Sequence, residues 1–141
     1  MKPLYEAQAT AIGGRTGIAA TGDGRLRVGF SMPTELGGPG GDGVNPEQLF
    51  ALGYAACFLT AIRNVAGQRK IEIASDSNVT ATVGVGPREM DAEELALTIA
   101  LTIDLPGLDR ETATSLVGRA HETCPYSNAT RGNVAVKLHI A

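Results

Sequence analysis

The segment NPEQLFALGYAACFLTAIRNVAG, residues 45–67, constrains the fold most, because it predicts one long apolar helix. Asn45 suits the N-cap, Pro46 suits the first helical position, and Gln48 can complete a capping box with Asn45. Gly67 commonly follows a helix C-terminus, so the helix is predicted to end just before it. The segment is apolar on nearly every face, which predicts burial on most sides.

The same apolar run is too short to predict a membrane span. Residues 49–62 form a run of 14 residues that includes Gly53 and Thr60, whereas a membrane-spanning helix needs about 20 apolar residues. The first residues, MKPLYEAQATAIGG, lack the continuous apolar region of a signal peptide. We therefore expect a soluble, cytoplasmic protein with this helix in its core and no contact with a membrane.

Length and composition narrow the class of protein further. The 141 residues match the size of one domain that can bury a core, so we predict a single domain over residues 1–141. The net charge of -3 gives no broad basic surface, and with no Trp and 4% aromatic residues there are few platforms for stacking bases. Nucleic-acid binding is therefore not expected.

Alternating apolar and polar residues on both sides of the helix predict strands. Three strands precede the helix, with a GDG turn at 22–24 and a flexible, glycine-rich loop at 33–44. Two long strands follow at 78–86 and 94–105, then a second helix and a closing strand at 133–141. The order βββ-α-ββ-α-β predicts an α+β fold with a curved antiparallel sheet around the first helix.

The second helix carries one clear apolar face. It is predicted to begin after an N-cap at Asp109 and to be stopped by Pro125. Its apolar residues recur at helical spacing and share a face: Ala113, Leu116, Val117, Ala120 and Cys124. Cys124 is therefore expected on the core-facing side, at the end of this helix.

Cys57 and Cys124 are the two cysteines of the chain. Buried cysteines are often inert core residues, and burial among apolar groups raises the pKa of a thiol. In a cytosolic chain, however, cysteines are more often free, catalytic or redox-active than part of a structural disulfide. Both sulfurs are expected to point into the same core, so the residues leave an inert and a reactive interpretation open.

Arg15 and Glu47 are candidates for a charged pair near a thiol. Arg15 lies in a tight turn, GGRTG, and is either a solvated turn residue or an inward-pointing cation. Glu47 either stabilises the helix dipole or holds Arg15 through a bidentate contact. Glu47 and Cys57 are ten residues apart on one helix, about 15 Å along its axis. If all three act together, Arg15 and Glu47 are expected to come from a second subunit of a homodimer.

Other motifs predict neither a metal site nor a cofactor site. GGPGGDG precedes a helix but lacks the Lys-Ser/Thr of a phosphate-binding P-loop. His121 and Cys124 have the spacing of a metal-ligand pair, but two His and two Cys leave few further ligands for zinc. His139 alternates with the apolar residues of the last strand and is expected to be exposed.

Three motifs resemble the organic hydroperoxide resistance (Ohr) proteins of the wider OsmC/Ohr family. They are GGRTG with Arg15, GGDGVNPEQLFALGYAACF with Glu47 and Cys57, and CPYSNATRGNV with Cys124. The resemblance covers the whole chain, and NPEQLF, GYAACF and CPYS favour the Ohr branch over the OsmC branch. It implies an OsmC-like fold and an intertwined homodimer with two active sites at the subunit interface.

The resemblance also implies a thiol-dependent peroxidase for organic and lipid hydroperoxides. Cys57 would be the peroxidatic cysteine, and Arg15, held by Glu47, would stabilise its thiolate. Cys124 would resolve the Cys57 sulfenic acid as an intramolecular disulfide. The reductant implied is a dihydrolipoyl group on a lipoylated protein, or another dithiol.

The sequence leaves two alternatives to this function open. One is an OsmC-type peroxidase with a broader substrate range. The other is a non-enzymatic protein whose apolar pocket binds lipid or whose thiols sense oxidants.

Overall fold

The computed structural model describes all residues 1–141 and contains three α-helices and six β-strands. The strands are β1 (Ala9–Ile12), β2 (Ile18–Thr21), β3 (Arg27–Gly29), β4 (Asn78–Arg88), β5 (Asp91–Asp104) and β6 (Val136–Ile140). The helices are α1 (Pro46–Gln68), α2 (Arg110–Thr123) and α3 (Pro125–Thr130). Contacts divide the chain into two compact units, residues 1–49 and residues 50–141. The prediction that residues 1–141 form a single domain stays a prediction.

The first unit is built on the predicted three-stranded meander. β1 pairs antiparallel with β2, and β2 with β3, in the order β1-β2-β3. The GDG turn lies where it was predicted, with Gly24 at a φ of 72°, a conformation that glycine adopts without strain. No residue of this unit is buried, and several large apolar side chains are exposed: Leu4, Tyr5, Ile12, Ile18 and Leu26.

The glycine-rich loop at 33–44 is held by hydrogen bonds. Residues 34–36 form one 3₁₀ turn, and Gly43 donates its N–H to Ser31 Oγ at 2.8 Å. A methyl group on Gly43 would lie 2.5 Å from the carbonyl carbon of Phe30, so the chain requires glycine at this close approach. The prediction that this loop is flexible remains untested.

Helix α1 begins as predicted and ends later than predicted. Asn45 Oδ1 accepts the Gln48 N–H at 2.9 Å, and Gln48 Oε1 accepts the Asn45 N–H at 3.0 Å, which completes the capping box. Gly67, however, lies inside the helix. Lys70 takes the left-handed conformation at φ 56°, and the N–H groups of Lys70 and Ile71 bond back to the last turn, as in a Schellman motif.

The burial of α1 is less complete than predicted within this chain. Its buried residues lie on one face: Tyr54, Phe58, Ala61, Ile62, Val65 and Ala66. Leu52, in contrast, is 68% exposed. At 23 residues the helix is long and apolar enough to cross a membrane by length and composition alone, a test that core helices of soluble proteins also pass. The prediction that this apolar segment is too short to span a membrane was therefore wrong by the criterion of length and composition.

The second sheet has the order β4-β5-β6 and differs from the prediction in one pairing. β4 and β5 form the predicted long antiparallel hairpin. β5 and β6 pair in parallel, from Ile99 opposite Val136 to Ile103 opposite Ile140. Helices α2 and α3 connect β5 to β6, and a connection of this length lets the chain return in the same direction. The α+β class is therefore confirmed, whereas one wholly antiparallel sheet was wrong.

Helix α2 follows its prediction closely. Asp109 Oδ1 caps it by accepting the Thr112 N–H at 2.9 Å, and all five residues of the predicted apolar face, Cys124 included, are buried. Pro125 ends this helix but also begins the short helix α3, which was not predicted from the sequence.

Phe58→Ala is expected to lower the free energy of unfolding by about 3–5 kcal/mol, because it empties a fully buried aromatic site in the core between α1 and the second sheet. Urea unfolding followed by circular dichroism measures this loss. The control is Met90→Ala, whose side chain is 94% exposed; its change should stay within about 0.5 kcal/mol. Similar losses in both variants would contradict the assignment of Phe58 to the core.

Candidate active site

Arg15 and Glu47 form a bidentate ion pair within the first unit. Arg15 Nη1 donates to Glu47 Oε2 at 2.8 Å, and Nη2 donates to Oε1 at 2.6 Å. Arg15 lies in a 3₁₀ turn preceded by Gly13 at φ 82°, and Glu47 lies in the first turn of α1. Both side chains are largely shielded from solvent. The predicted bidentate contact is therefore present, in the fork-on-fork geometry that suits a guanidinium and a carboxylate.

Each member of this pair favours the charged form of the other. The hydrogen bonds from Arg15 lower the pKa of the Glu47 carboxyl, against the opposing effect of burial. The same hydrogen bonds raise the pKa of Arg15. The pair is therefore fully charged at neutral pH, and Glu47 can hold the guanidinium in one orientation.

The Glu47 pair sets an expected pH dependence. A lowered carboxyl pKa stabilises the folded chain at pH values above the ordinary glutamate pKa of about 4.3, and this contribution disappears as the pH falls through the lowered value. Wild type should therefore lose more stability than Glu47→Gln between pH 6 and pH 3 in urea unfolding. Parallel losses in the two proteins would contradict the lowered pKa.

The two cysteines meet in the second unit. Cys57 lies on α1 and is half-buried, and Cys124 caps α3 and is fully buried. Cys124 Sγ lies 3.6 Å from Cys57 Sγ and is oriented to donate its proton to it, and both are free thiols. The prediction that both sulfurs point into the same core is therefore confirmed.

The surroundings of Cys57 oppose its ionisation. Burial raises the pKa of the Cys57 thiol above its ordinary value, and the neighbouring Cys124 raises it further. A hydrogen bond from the backbone N–H of Tyr126 acts in the opposite direction. Residues 50–141 thus bring two sulfurs together, and their surroundings favour the protonated form of Cys57.

A buried polar network lies next to Cys124, and sequence reasoning missed it. Tyr54 Oη and His121 Nδ1 each lie 2.9 Å from Ser127 Oγ, and both Tyr54 and Ser127 are fully buried. Ser127 is the last residue of the CPYS motif, and this motif was the one sequence feature that could have indicated the network. Tyr54 lies in an apolar run, where nothing in the sequence indicates a hydrogen-bonding role. The network fixes α3 against α1 and α2.

His121 contributes to this network through its Nδ1 atom. Burial lowers the pKa of its imidazole, and the charge of Arg131 lowers it further. The neutral ring can exchange a hydrogen bond with Ser127 Oγ. The structure gathers no group of three or more His, Cys, Asp or Glu side chains around a common point.

A groove of about 470 Å³ opens beside Cys57. It runs along α1 as far as Gln68 and is bounded on its other side by Thr123 and Pro125. Its lining is mainly apolar near the thiol, with Asn64 and Gln68 adding amide groups. An elongated, largely apolar molecule fits such a site better than a small polar one.

The four candidate residues therefore form two pairs, each within its own unit. Arg15 is brought to Glu47 in residues 1–49, and Cys57 is brought to Cys124 in residues 50–141. Residues 1–49 thus hold an oriented cation, and residues 50–141 hold two sulfurs within reach of each other.

Comparison with known proteins matches the OsmC-like protein family over residues 38–139. The chain is 48% identical over 140 residues to an organic hydroperoxide resistance protein of Xanthomonas axonopodis pv. citri, covering 99% of this chain and 96% of that one. The crystal structure of an organic hydroperoxide resistance protein from Legionella pneumophila superposes with a TM-score of 0.91 at 48% identity, covering 99% of each chain. That of OhrB from Bacillus subtilis gives 0.89 at 45%, covering 99% of this chain and 100% of the other.

Proposed function

The chain belongs to the OsmC/Ohr family of OsmC-like proteins, and on that premise we propose that it is a Cys-based peroxidase that reduces organic hydroperoxides to alcohols. The observation that carries the proposal is the 3.6 Å separation of two free thiols next to a mainly apolar groove. The relatives named for organic hydroperoxide resistance support this substrate class and a role in defence against oxidative stress.

The proposed reaction begins at Cys57. Its thiolate attacks the terminal oxygen of the hydroperoxide, the O–O bond breaks, and the alkoxide leaves and takes up a proton to become the alcohol. Cys57 is left as a sulfenic acid. The Cys124 thiol then attacks the Cys57 sulfur, a disulfide forms, and the hydroxyl departs as water with the Cys124 proton.

The disulfide must be reduced before the next cycle. We propose a dithiol such as a dihydrolipoyl group, which transfers two electrons and two protons and becomes a cyclic disulfide itself. The exposed side of Cys57 at the groove favours entry of a slender reductant. A lipoylated protein in the cytoplasm would supply this group.

The thiolate needs a cation because burial raises the pKa of Cys57. Arg15, oriented by Glu47, is the proposed source, and it would also polarise the peroxide. Glu47 and Cys57 are ten residues apart on one helix, about 15 Å. We therefore propose that a second subunit of a homodimer supplies Arg15 and Glu47 to each thiol. The unburied sheet of residues 1–49 and the exposed Leu52 on α1 favour such an assembly.

Intact-mass spectrometry and a coupled assay test the proposed function. One equivalent of cumene hydroperoxide should remove two hydrogens from each chain without linking chains, and turnover should continue with dihydrolipoamide. The same assay with hydrogen peroxide should be slower, because the groove favours an organic group. No mass change, or consumption no faster than in buffer, would refute the peroxidase and leave a lipid-binding protein as the alternative.

Cys124→Ser is expected to react once and then stop. Cys57 is still present to attack the hydroperoxide, but the sulfenic acid has no neighbouring thiol to close on it. Steady-state turnover with dihydrolipoamide should fall roughly a hundredfold or more, while dimedone should label Cys57 after one equivalent of peroxide. Normal turnover by this variant would remove the resolving role from Cys124.

A further inference from the structure

Gly53 and Tyr126 pack unusually closely. Gly53 lies one helical turn before Cys57 on α1, and the Tyr126 ring lies over it. A methyl group at Gly53 would lie 2.8 Å from Tyr126 Oη and 3.2 and 3.3 Å from the ring atoms Cε2 and Cζ. The tyrosine ring therefore occupies space that any other residue at position 53 would fill.

The Tyr126 ring is held in this position by other aromatic rings. Its centroid lies 6.0 Å from that of Phe50 and 5.6 Å from that of Tyr54. Tyr126 is also the second residue of α3, two residues after Cys124. Tyr126 is 38% exposed, and its ring contacts α1 beside the Ser127 hydrogen bonds that join α3 to α1 and α2.

We infer that Gly53 is a positioning residue for the two thiols, because it lets the Tyr126 ring settle against α1 and so brings Cys124 within 3.6 Å of Cys57. The inference rests on the proposed function in that disulfide closure is the step it serves. Gly53 itself touches no reacting atom. Because glycine has no side chain, the Tyr126 ring can approach α1, and this raises the effective concentration of the Cys124 thiol at Cys57.

If Gly53 acts only as a residue of the helix, its replacement by alanine is expected to have no effect on the two thiols. Alanine forms helices better than glycine, so an alanine at a neutral helical position should leave the thiols unaffected and the helix at least as stable. Gly67 provides the matched control in the same helix, because a methyl group there would meet nothing within 4 Å. The same substitution at the two glycines therefore separates helix propensity from the seating of Tyr126.

The test is the thiol–disulfide equilibrium of Gly53→Ala against dithiothreitol, together with the rate of disulfide closure by diamide, which takes up the two hydrogens. We expect the equilibrium constant for the Cys57–Cys124 disulfide to fall about tenfold, which is a reduction potential about 30 mV less negative. Gly67→Ala should match wild type. The double variant Gly53→Ala/Tyr126→Phe should recover part of the loss, because it removes the oxygen nearest the new methyl group.

Three results would overturn the inference: a wild-type equilibrium in Gly53→Ala, an equal shift in Gly67→Ala, or no recovery in the double variant. Circular dichroism first establishes that each variant is folded, and Tyr126→Ala supplies a second test if Gly53→Ala does not fold. Neither readout uses a hydroperoxide. If the protein forms the disulfide with diamide but does not react with cumene hydroperoxide, the proposed peroxidase is refuted. The role of Gly53 in positioning the thiols can still be tested in that case.

Discussion

Cys57→Ser is expected to abolish turnover of cumene hydroperoxide, lowering kcat/KM roughly a thousandfold or more. A serine hydroxyl is far less acidic than a thiol and cannot pass through a sulfenic acid, so neither the attack nor the closure onto Cys124 can occur. The measurement is the initial rate of dihydrolipoamide oxidation over a range of peroxide concentrations.

Two comparisons make the Cys57 result specific. The thermal unfolding curve of Cys57→Ser should resemble that of wild type, since the side chains have nearly the same size. Cys124→Ser should still give a rapid single reaction. If Cys57→Ser and wild type turn over at similar rates, the nucleophile lies elsewhere and the enzyme proposal fails.

Arg15→Ala is expected to slow the first reaction with hydroperoxide about a hundredfold or more, the usual effect of removing a group that stabilises developing charge. It removes the only cation proposed to offset the burial of Cys57 and leaves Glu47 unpaired. Stopped-flow measurement of single-turnover oxidation gives the rate, and the pH dependence of iodoacetamide alkylation gives the pKa of the thiol, which should rise.

The matched control for Arg15 is Arg27→Ala, which removes an exposed arginine from β3 in the same unit. It should change neither the rate nor the thiol pKa. Glu47→Gln should have an intermediate effect, because an amide can still accept one hydrogen bond from the guanidinium. A thiol pKa unchanged in Arg15→Ala would show that the arginine does not stabilise the thiolate.

Local patterns in the sequence predicted most of the elements because each depends on nearby residues. The capping box of Asn45 and Gln48 and the Asp109 cap are short-range hydrogen bonds, and the apolar face of α2 follows directly from helical periodicity. The four candidate residues came from motifs together with reasoning about thiols and charges. The structure places them in two close pairs.

The features that were missed depend on long-range packing. The parallel pairing of β6 is decided by where α2 and α3 return the chain, which periodicity does not encode. Lys70 adopts the left-handed conformation in place of the expected glycine because the last turn of α1 continues beyond Gly67. The hydrogen bonds of Ser127 join three helices, and no spacing within one segment reveals them.

The sheet of residues 1–49, which has no buried residue, affects how the chain would respond to mild heating. Segments with little apolar burial open locally at a lower free-energy cost than the rest of a protein. Arg15 and Glu47 both belong to this segment, whereas the sulfurs belong to a unit with its own apolar core. Mild heating should therefore separate the Arg15–Glu47 pair while the unit that holds the two sulfurs is still native.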